Sequence, residues 1–150
     1  MAGGFFTTPP DARRLNLVFF PQAASGGGSV LRWQGQLDEH AVVHVVQMPA
    51  HGARYLEPSY RSMRPLVNDL LDSDTRFCGT RYAFVGARLG AWVAIELLQA
   101  LAARGAAMPS AFLVCGAPGP HDKSLFCAGP AELGPVDIHV TKGIPAARGI

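Results

Sequence analysis

Charge is scarce in this 150-residue chain: only 16% of its residues are Asp, Glu, Lys or Arg, against about 25% in an average soluble protein. The 13 basic and 11 acidic residues leave a formal net charge of +2, too little for the phosphate neutralisation on which nucleic-acid binding rests. Cysteine is scarce as well. Cys78, Cys115 and Cys127 are odd in number and lack metal-ligand spacing, so reduced, buried thiols are expected rather than a disulfide framework or a zinc site. No apolar run approaches 18 residues, and the N-terminus has no basic segment leading into an apolar one. These absences lead to the expectation of a soluble intracellular protein, in cytoplasm or in an organelle matrix or stroma, with no cofactor and no metal.

Apolar residues are abundant. At 49% hydrophobic content the chain is not disordered, and a single domain of this length buries roughly 70% of the surface its unfolded form exposes. Gly (17) and Pro (12) are frequent but together stay below the roughly 25–30% of low-complexity chains. The shortage of charge leaves more of the surface neutral or apolar than usual, which suggests a surface used by a partner.

Short apolar runs alternate with helical stripes. After a lead over residues 1–13, Leu15–Phe20 reads as a buried strand stopped by Pro21, and a glycine-rich loop follows over residues 22–29. A short helix is expected over Val30–Leu37 and a second strand over Ala41–Gln47. Met63, Leu66, Val67, Leu70 and Leu71 form one stripe of a helix within Tyr60–Leu71. Tyr82–Val85 is a third strand, and Ala87–Leu101 a helix with Ala91, Ala94, Ile95, Leu98 and Leu101 on one face, stopped at Gly105. Ala111–Cys115 is a fourth strand. Beyond residue 118 only Val136–Val140 alternates, as a short half-exposed strand, and residues 119–150 are expected to be an irregular tail or one adapted to a partner. Strands alternating with helices imply crossovers and a parallel sheet.

The third strand runs into Val85-Gly86-Ala87-Arg88-Leu89-Gly90-Ala91 and then a helix, which is the context of the nucleophile elbow G-x-S-x-G. Gly86 and Gly90 stand where the sharp turn admits no bulk; its centre is Arg88. Around this turn the chain resembles the type II, stand-alone thioesterases of the α/β-hydrolase superfamily, which work beside polyketide, nonribosomal-peptide and fatty-acid synthases. Residues 17–26 resemble that family's apolar strand and F-P-H-A-G-G, and residues 46–54 its V-Q-x-P-G-R-G-x-R segment. Residues 82–91 resemble Y-x-x-F-G-H-S-x-G-A, and residues 112–118 the next strand.

The resemblance implies a partial α/β-hydrolase fold over residues 14–118: a mostly parallel sheet of about four strands flanked by helices, in the order second, first, third, fourth. It places the lid, further strands, an acid and a catalytic histidine beyond residue 150, so a truncated fold is expected. It also implies an elbow without its nucleophile. A guanidinium stays protonated and has no attacking lone pair, so Arg88 cannot serve as the serine does. The family's F-P-H histidine corresponds to Gln22, while the oxyanion-hole N–H groups map to Ala23 and Leu89. Arg88 sits at the positive end of a helix and is expected to seek an acid; the favoured reading is that it points to solvent or pairs internally, and binding a carboxylate or phosphate is its functional reading.

Asp137 and His139, two apart on a strand, read as ordinary strand residues because no nucleophile is identified beside them. His40, His44, His51 and His121 read as surface, turn or satisfied core residues, and Ser25 and Ser29 as turn residues.

With its continuing strands absent, the fourth strand would be a bare apolar edge. The tail, a second copy or another subunit would cover it, and the low charge content favours the last two. The function expected is a catalytically inactive thioesterase-like domain serving as a structural or interaction subunit, with self-association or a protein partner, for instance an acyl-carrier protein. An acyl thioesterase acting on carrier-protein thioesters is the alternative, and a fragment of a longer gene product the third reading.

Overall fold

The computed structural model of the protein describes residues 4–22, 28–74, 77, 79–116 and 137–141, with only the backbone described at Ser29, Asp74 and 137–141. Five strands form one parallel sheet: β1 (Leu15–Phe20), β2 (Ala41–Val45), β3 (Tyr82–Ala87), β4 (Ala111–Cys115) and β5 (Asp137–Thr141), in the order β2-β1-β3-β4-β5. The first four stand in the expected order. Among the described residues three α-helices alternate with them, α1 (Gly28–Leu37), α2 (Met63–Asp74) and α3 (Leu89–Ala103), with one 3-10 turn at Gly52–Arg54.

Residues of opposite parity divide the core between the two faces of the sheet, as the two-residue period of a strand requires. Val18 and Phe20 of β1, Phe84 of β3 and Phe112 and Val114 of β4 share one face with α2, α3 and the lead residues Phe5 and Phe6. Phe19, Val43, Val45 and Val85 share the other face with Val30 and Trp33 of α1. Burial on both faces explains why β1 and β2 read as continuous apolar runs. All five apolar positions expected to face inward on α3 are buried. Burying a side chain such as Leu97 or Leu98, both 0% exposed, is worth about 1.5–3 kcal/mol each, so packing rather than propensity holds this helix.

Several boundaries differ from the sequence reading. Gly28 and Ser29 belong to α1 rather than to the glycine loop, and β2 ends at Val45. The second helix begins at Met63, because Tyr60 and its neighbours close a loop instead. The third starts at Leu89, since Arg88 adopts a backbone conformation that no helix contains. The helix ends as expected near Gly105, whose neighbour Ala106 returns an N–H to the Leu101 carbonyl at 3.0 Å.

The largest difference lies in the tail. β4 is not a bare edge: β5 pairs with it in parallel from Ala111↔Asp137 to Cys115↔Thr141. The weak alternation at Val136–Val140 is therefore a strand, shifted by one residue, and the chain itself satisfies the edge that favoured an external partner.

Buried polar groups below the sheet are satisfied. Asn16 is 0% exposed; its Nδ2 donates to the Asp11 and Arg81 carbonyls, and its Oδ1 accepts from the Asp11 N–H and His44 Nε2. His44, whose Nδ1 pairs with the Thr8 hydroxyl, is a satisfied core residue.

Candidate functional site

The turn from β3 to α3 is a tight elbow. Its apex, Arg88, has φ 50° and ψ −115°, a region costly for any residue with a Cβ. The Arg88 N–H donates to the Cys115 carbonyl and the Ala91 N–H to the Arg88 carbonyl, each at 3.0 Å. The two flanking glycines are demanded by the close approach of neighbouring backbone. A Cβ on Gly86 would stand 2.9 Å from the Ala91 nitrogen, and one on Gly90 would stand 2.5 Å from the Pro21 carbonyl oxygen. Only glycine permits either contact. Gly90 thereby lets the start of α3 rest directly on the end of β1, and Gln22 and Leu89 both line the same cavity.

Arg88 is exposed and its side chain lies across the end of β4, over Gly116. Among the described residues no carboxylate pairs with it. A guanidinium supplies N–H donors but no accepting lone pair.

Next to the elbow lies a cavity of about 150 Å³. Val45, Val46, Met48, Leu66, Leu89 and Val93 provide much of its wall, while Gln22, Gln47, His51, Ser59 and Tyr60 bring polar groups to it. Among the described residues no Asp, Glu, Lys or Arg lines it.

The loop after β2 builds one side of this cavity, and Arg54 holds the loop together. Its Nε and Nη2 donate to both Glu57 oxygens at 2.8 and 2.6 Å, and its Nη1 to the Gln47 carbonyl at 2.7 Å. The guanidinium also lies 5.0 Å from the centre of the Phe5 ring. Hydrogen bonding to Glu57 raises its pKa still further above the usual arginine range, so the clamp is always charged. Ala50, at the turn of the loop, takes a positive φ of 64°.

Two further side chains of the wall have defined proton positions. Tyr60 donates its hydroxyl to Asp69 Oδ2 at 2.5 Å; burial, with the Asp69 bond second, pushes its pKa up to about 12. His51 Nδ1 lies 2.9 Å from the Pro49 carbonyl oxygen. A carbonyl can only accept, so Nδ1 carries the proton and Nε2 is the accepting nitrogen of the neutral ring.

Of the residues singled out from sequence, Gly86, Arg88 and Gly90 form the elbow, and Gln22 and Leu89 meet at the cavity. Ala23, Ser25, Cys78, Cys127 and His121 lie outside the described residues. Asp137 and His139 are on β5, which β4 separates from β3, about 10 Å across the sheet. His40 is exposed. Arg54 matches the final arginine of the V-Q-x-P-G-R-G-x-R segment and Tyr60 read only as the start of the second helix; neither the burial of Arg54 nor its clamp had a sequence signal, because a clamp arginine in a loop looks like any surface arginine until the fold closes over it. Among the described residues no three His, Cys, Asp or Glu side chains group as metal ligands, and no helix is long and apolar enough to cross a membrane.

Comparison with known proteins gives one consistent picture of the fold. No family model matches the chain. A curated relative, the linear gramicidin dehydrogenase LgrE of Brevibacillus parabrevis, is 28% identical over 105 residues, which are 70% of this chain and 40% of LgrE. Among solved structures, RedJ, a thioesterase from the prodiginine biosynthetic pathway of Streptomyces coelicolor, superposes with a TM-score of 0.68 at 35% identity, over 77% of this chain and 44% of RedJ. BorB, a type II thioesterase from the borrelidin biosynthetic cluster, superposes with a TM-score of 0.67 at 23% identity, over 77% of this chain and 46% of BorB. The chain thus spans less than half the length of each. Over that span it has a thioesterase-like, partial α/β-hydrolase fold.

Proposed function

We propose that this chain is a catalytically inactive thioesterase-like domain that serves as a structural or interaction subunit of a larger assembly. The observation that carries this reading is the occupant of the elbow. The turn keeps the strained apex and the two close-packed glycines that present a nucleophile, and the side chain it presents is the guanidinium of Arg88. Gln22 and Leu89, with Ala23, are then the remnant of an oxyanion hole without an oxyanion to hold. Arg88 serves as an anion contact toward an acidic partner, an acyl-carrier protein being the partner suggested by thioesterases of such pathways. The paired edge of β4 moves self-association or partner binding outward to β5. This reading puts the subunit in a soluble, intracellular setting, with residues 14–118 as its thioesterase-like body.

A second reading has its own support in the preserved elbow and the adjacent apolar cavity, together with the likeness to RedJ. In it the chain is an acyl thioesterase whose attacking and proton-handling groups come from outside the described residues.

Turnover of a short acyl thioester by the purified chain, beside Arg88→Ser and Arg88→Ala, separates the two. No hydrolysis above background by the unmodified chain supports the inactive reading. Hydrolysis that survives Arg88→Ala and disappears on changing Asp137 or His139 refutes it. Light scattering after size exclusion tests the assembly role, and a well-folded monomer that captures no carrier protein counts against it.

A further inference from the structure

The cavity beside the elbow has a chemistry of its own, independent of whether the elbow is silent. Its volume of about 150 Å³ is enough for a benzene-sized guest. Val45, Val46 and Val93, all buried, supply walls with nothing to offer water. Among the described residues no Asp, Glu, Lys or Arg lines it, and the nearby guanidinium of Arg88 turns instead toward Gly116. A charged guest would be desolvated there without a counter-ion, at a cost that no wall residue offsets.

One wall group is specifically an acceptor. Because the Pro49 carbonyl holds the proton on His51 Nδ1, Nε2 has a lone pair and no hydrogen in the neutral ring. Tyr60 has already committed its hydroxyl proton to Asp69, so it does not compete to satisfy that nitrogen. An acceptor in an apolar wall selects a guest that carries a donor.

We propose that this cavity is a binding site for an uncharged, ring-sized apolar molecule bearing one hydroxyl, whose O–H is donated to Nε2 of His51.

The test is a ¹⁹F NMR titration of the full chain with 4-fluorophenol, fluorobenzene and 4-fluorobenzoate. Saturable binding of the phenol is expected, about tenfold tighter than fluorobenzene because one hydrogen bond is worth about that factor, with the benzoate weaker than the phenol. His51→Phe should keep fluorobenzene within twofold and bring the phenol down to it; Leu66→Trp, which fills the cavity, should abolish both. A ¹⁵N shift of His51 Nε2 in the unmodified chain, moved by the phenol and not by fluorobenzene, reads the same contact should a variant fail to fold. The proposal is overturned if the phenol does not saturate, if the phenol and fluorobenzene bind equally, if the benzoate binds tighter, or if His51→Phe keeps the preference. Because binding is read without turnover, thioester hydrolysis by the chain would sink the inactive reading and leave this one standing.

Discussion

The side chain of Arg88 reaches from the apex of the β3–α3 elbow across to Gly116 at the end of β4, where a Cβ built on Gly116 would stand 3.7 Å from Arg88 Cγ and 3.9 Å from Nε. These are ordinary contact distances, so space is not what requires glycine there; the backbone is, since Gly116 has φ +63°. Gly116→Ala should therefore cost about 1–2 kcal/mol, the penalty of a left-handed alanine, in urea denaturation. A neutral result would show that the end of β4 relaxes freely under Arg88.

Strain at the apex gives a second prediction. Arg88→Ala keeps a Cβ at φ 50° and leaves the strain in place, whereas Arg88→Gly releases it. The strain is of order 1–3 kcal/mol, partly offset by the greater freedom of an unfolded glycine. Arg88→Gly should melt about 2–4 °C above Arg88→Ala, the shift for about 1 kcal/mol in a domain of this size. Equal melting temperatures would remove the claim that the elbow stores strain.

Gly86 and Gly90 should be intolerant in a way Gly35 is not. A Cβ at either elbow glycine meets backbone atoms at or inside 3.0 Å, while one at Gly35 meets nothing within 4 Å. Gly86→Ala and Gly90→Ala should each cost about 3 kcal/mol or more, at or beyond the upper range for overpacking, because backbone cannot step aside as a side chain can. Gly35→Ala, inside α1, should instead stabilise by about 0.5–1 kcal/mol. Circular dichroism melts of the three variants make the comparison.

Removing the loop clamp should be felt at the cavity. Arg54→Met removes the ion pair with Glu57 and the bond to the Gln47 carbonyl and should cost about 2–3 kcal/mol, a charge-assisted network rather than a surface pair. Hydrogen exchange over residues 47–60 should rise well before global unfolding. Unchanged protection of that loop would show that Arg54 does not organise it.

Acid should weaken one corner of the fold. Backbone N–H bonds from Arg14 and then Arg13, followed by the Arg14 side chain, lower the Asp11 pKa from 3.8 to about 2. A carboxylate with a depressed folded pKa contributes stability that is complete above its unfolded pKa and fades as pH falls through the folded one. The urea midpoint should therefore decline between about pH 4 and pH 2, and less steeply in Asp11→Asn. Parallel curves for the two proteins would assign the acid loss to other groups.

Much of this architecture was written in short-range pattern. The stripe on α3 and the apolar runs of β1 to β4 are repeated signals, each enforced by a buried face, and they fixed which residues point inward. The glycine spacing at residues 86 and 90 was equally legible, because a turn that admits no Cβ leaves a mark in residue type alone. The start of α3 at Leu89 was not, since nothing in an arginine announces a positive φ. Nor was the role of β5: its alternation was too brief to declare a partner, and only the open edge of β4 gave it one.

The amino-acid order by itself determined the alternating strands and helices and the occupancy of the elbow by a cation, because these depend on periodicity and on the chemistry of single residues; the order of the strands in the sheet came only from the resemblance to a known family. Tertiary structure alone decided that Arg54 is buried and clamps a loop, that His51 offers Nε2 rather than Nδ1, and that an uncharged cavity opens beside the elbow. The cavity and the contact of Arg54 with Phe5 arise where segments far apart in the chain meet, and the bonds of Arg54 and His51 within the loop after β2 are local but irregular; neither kind of contact has a period to read.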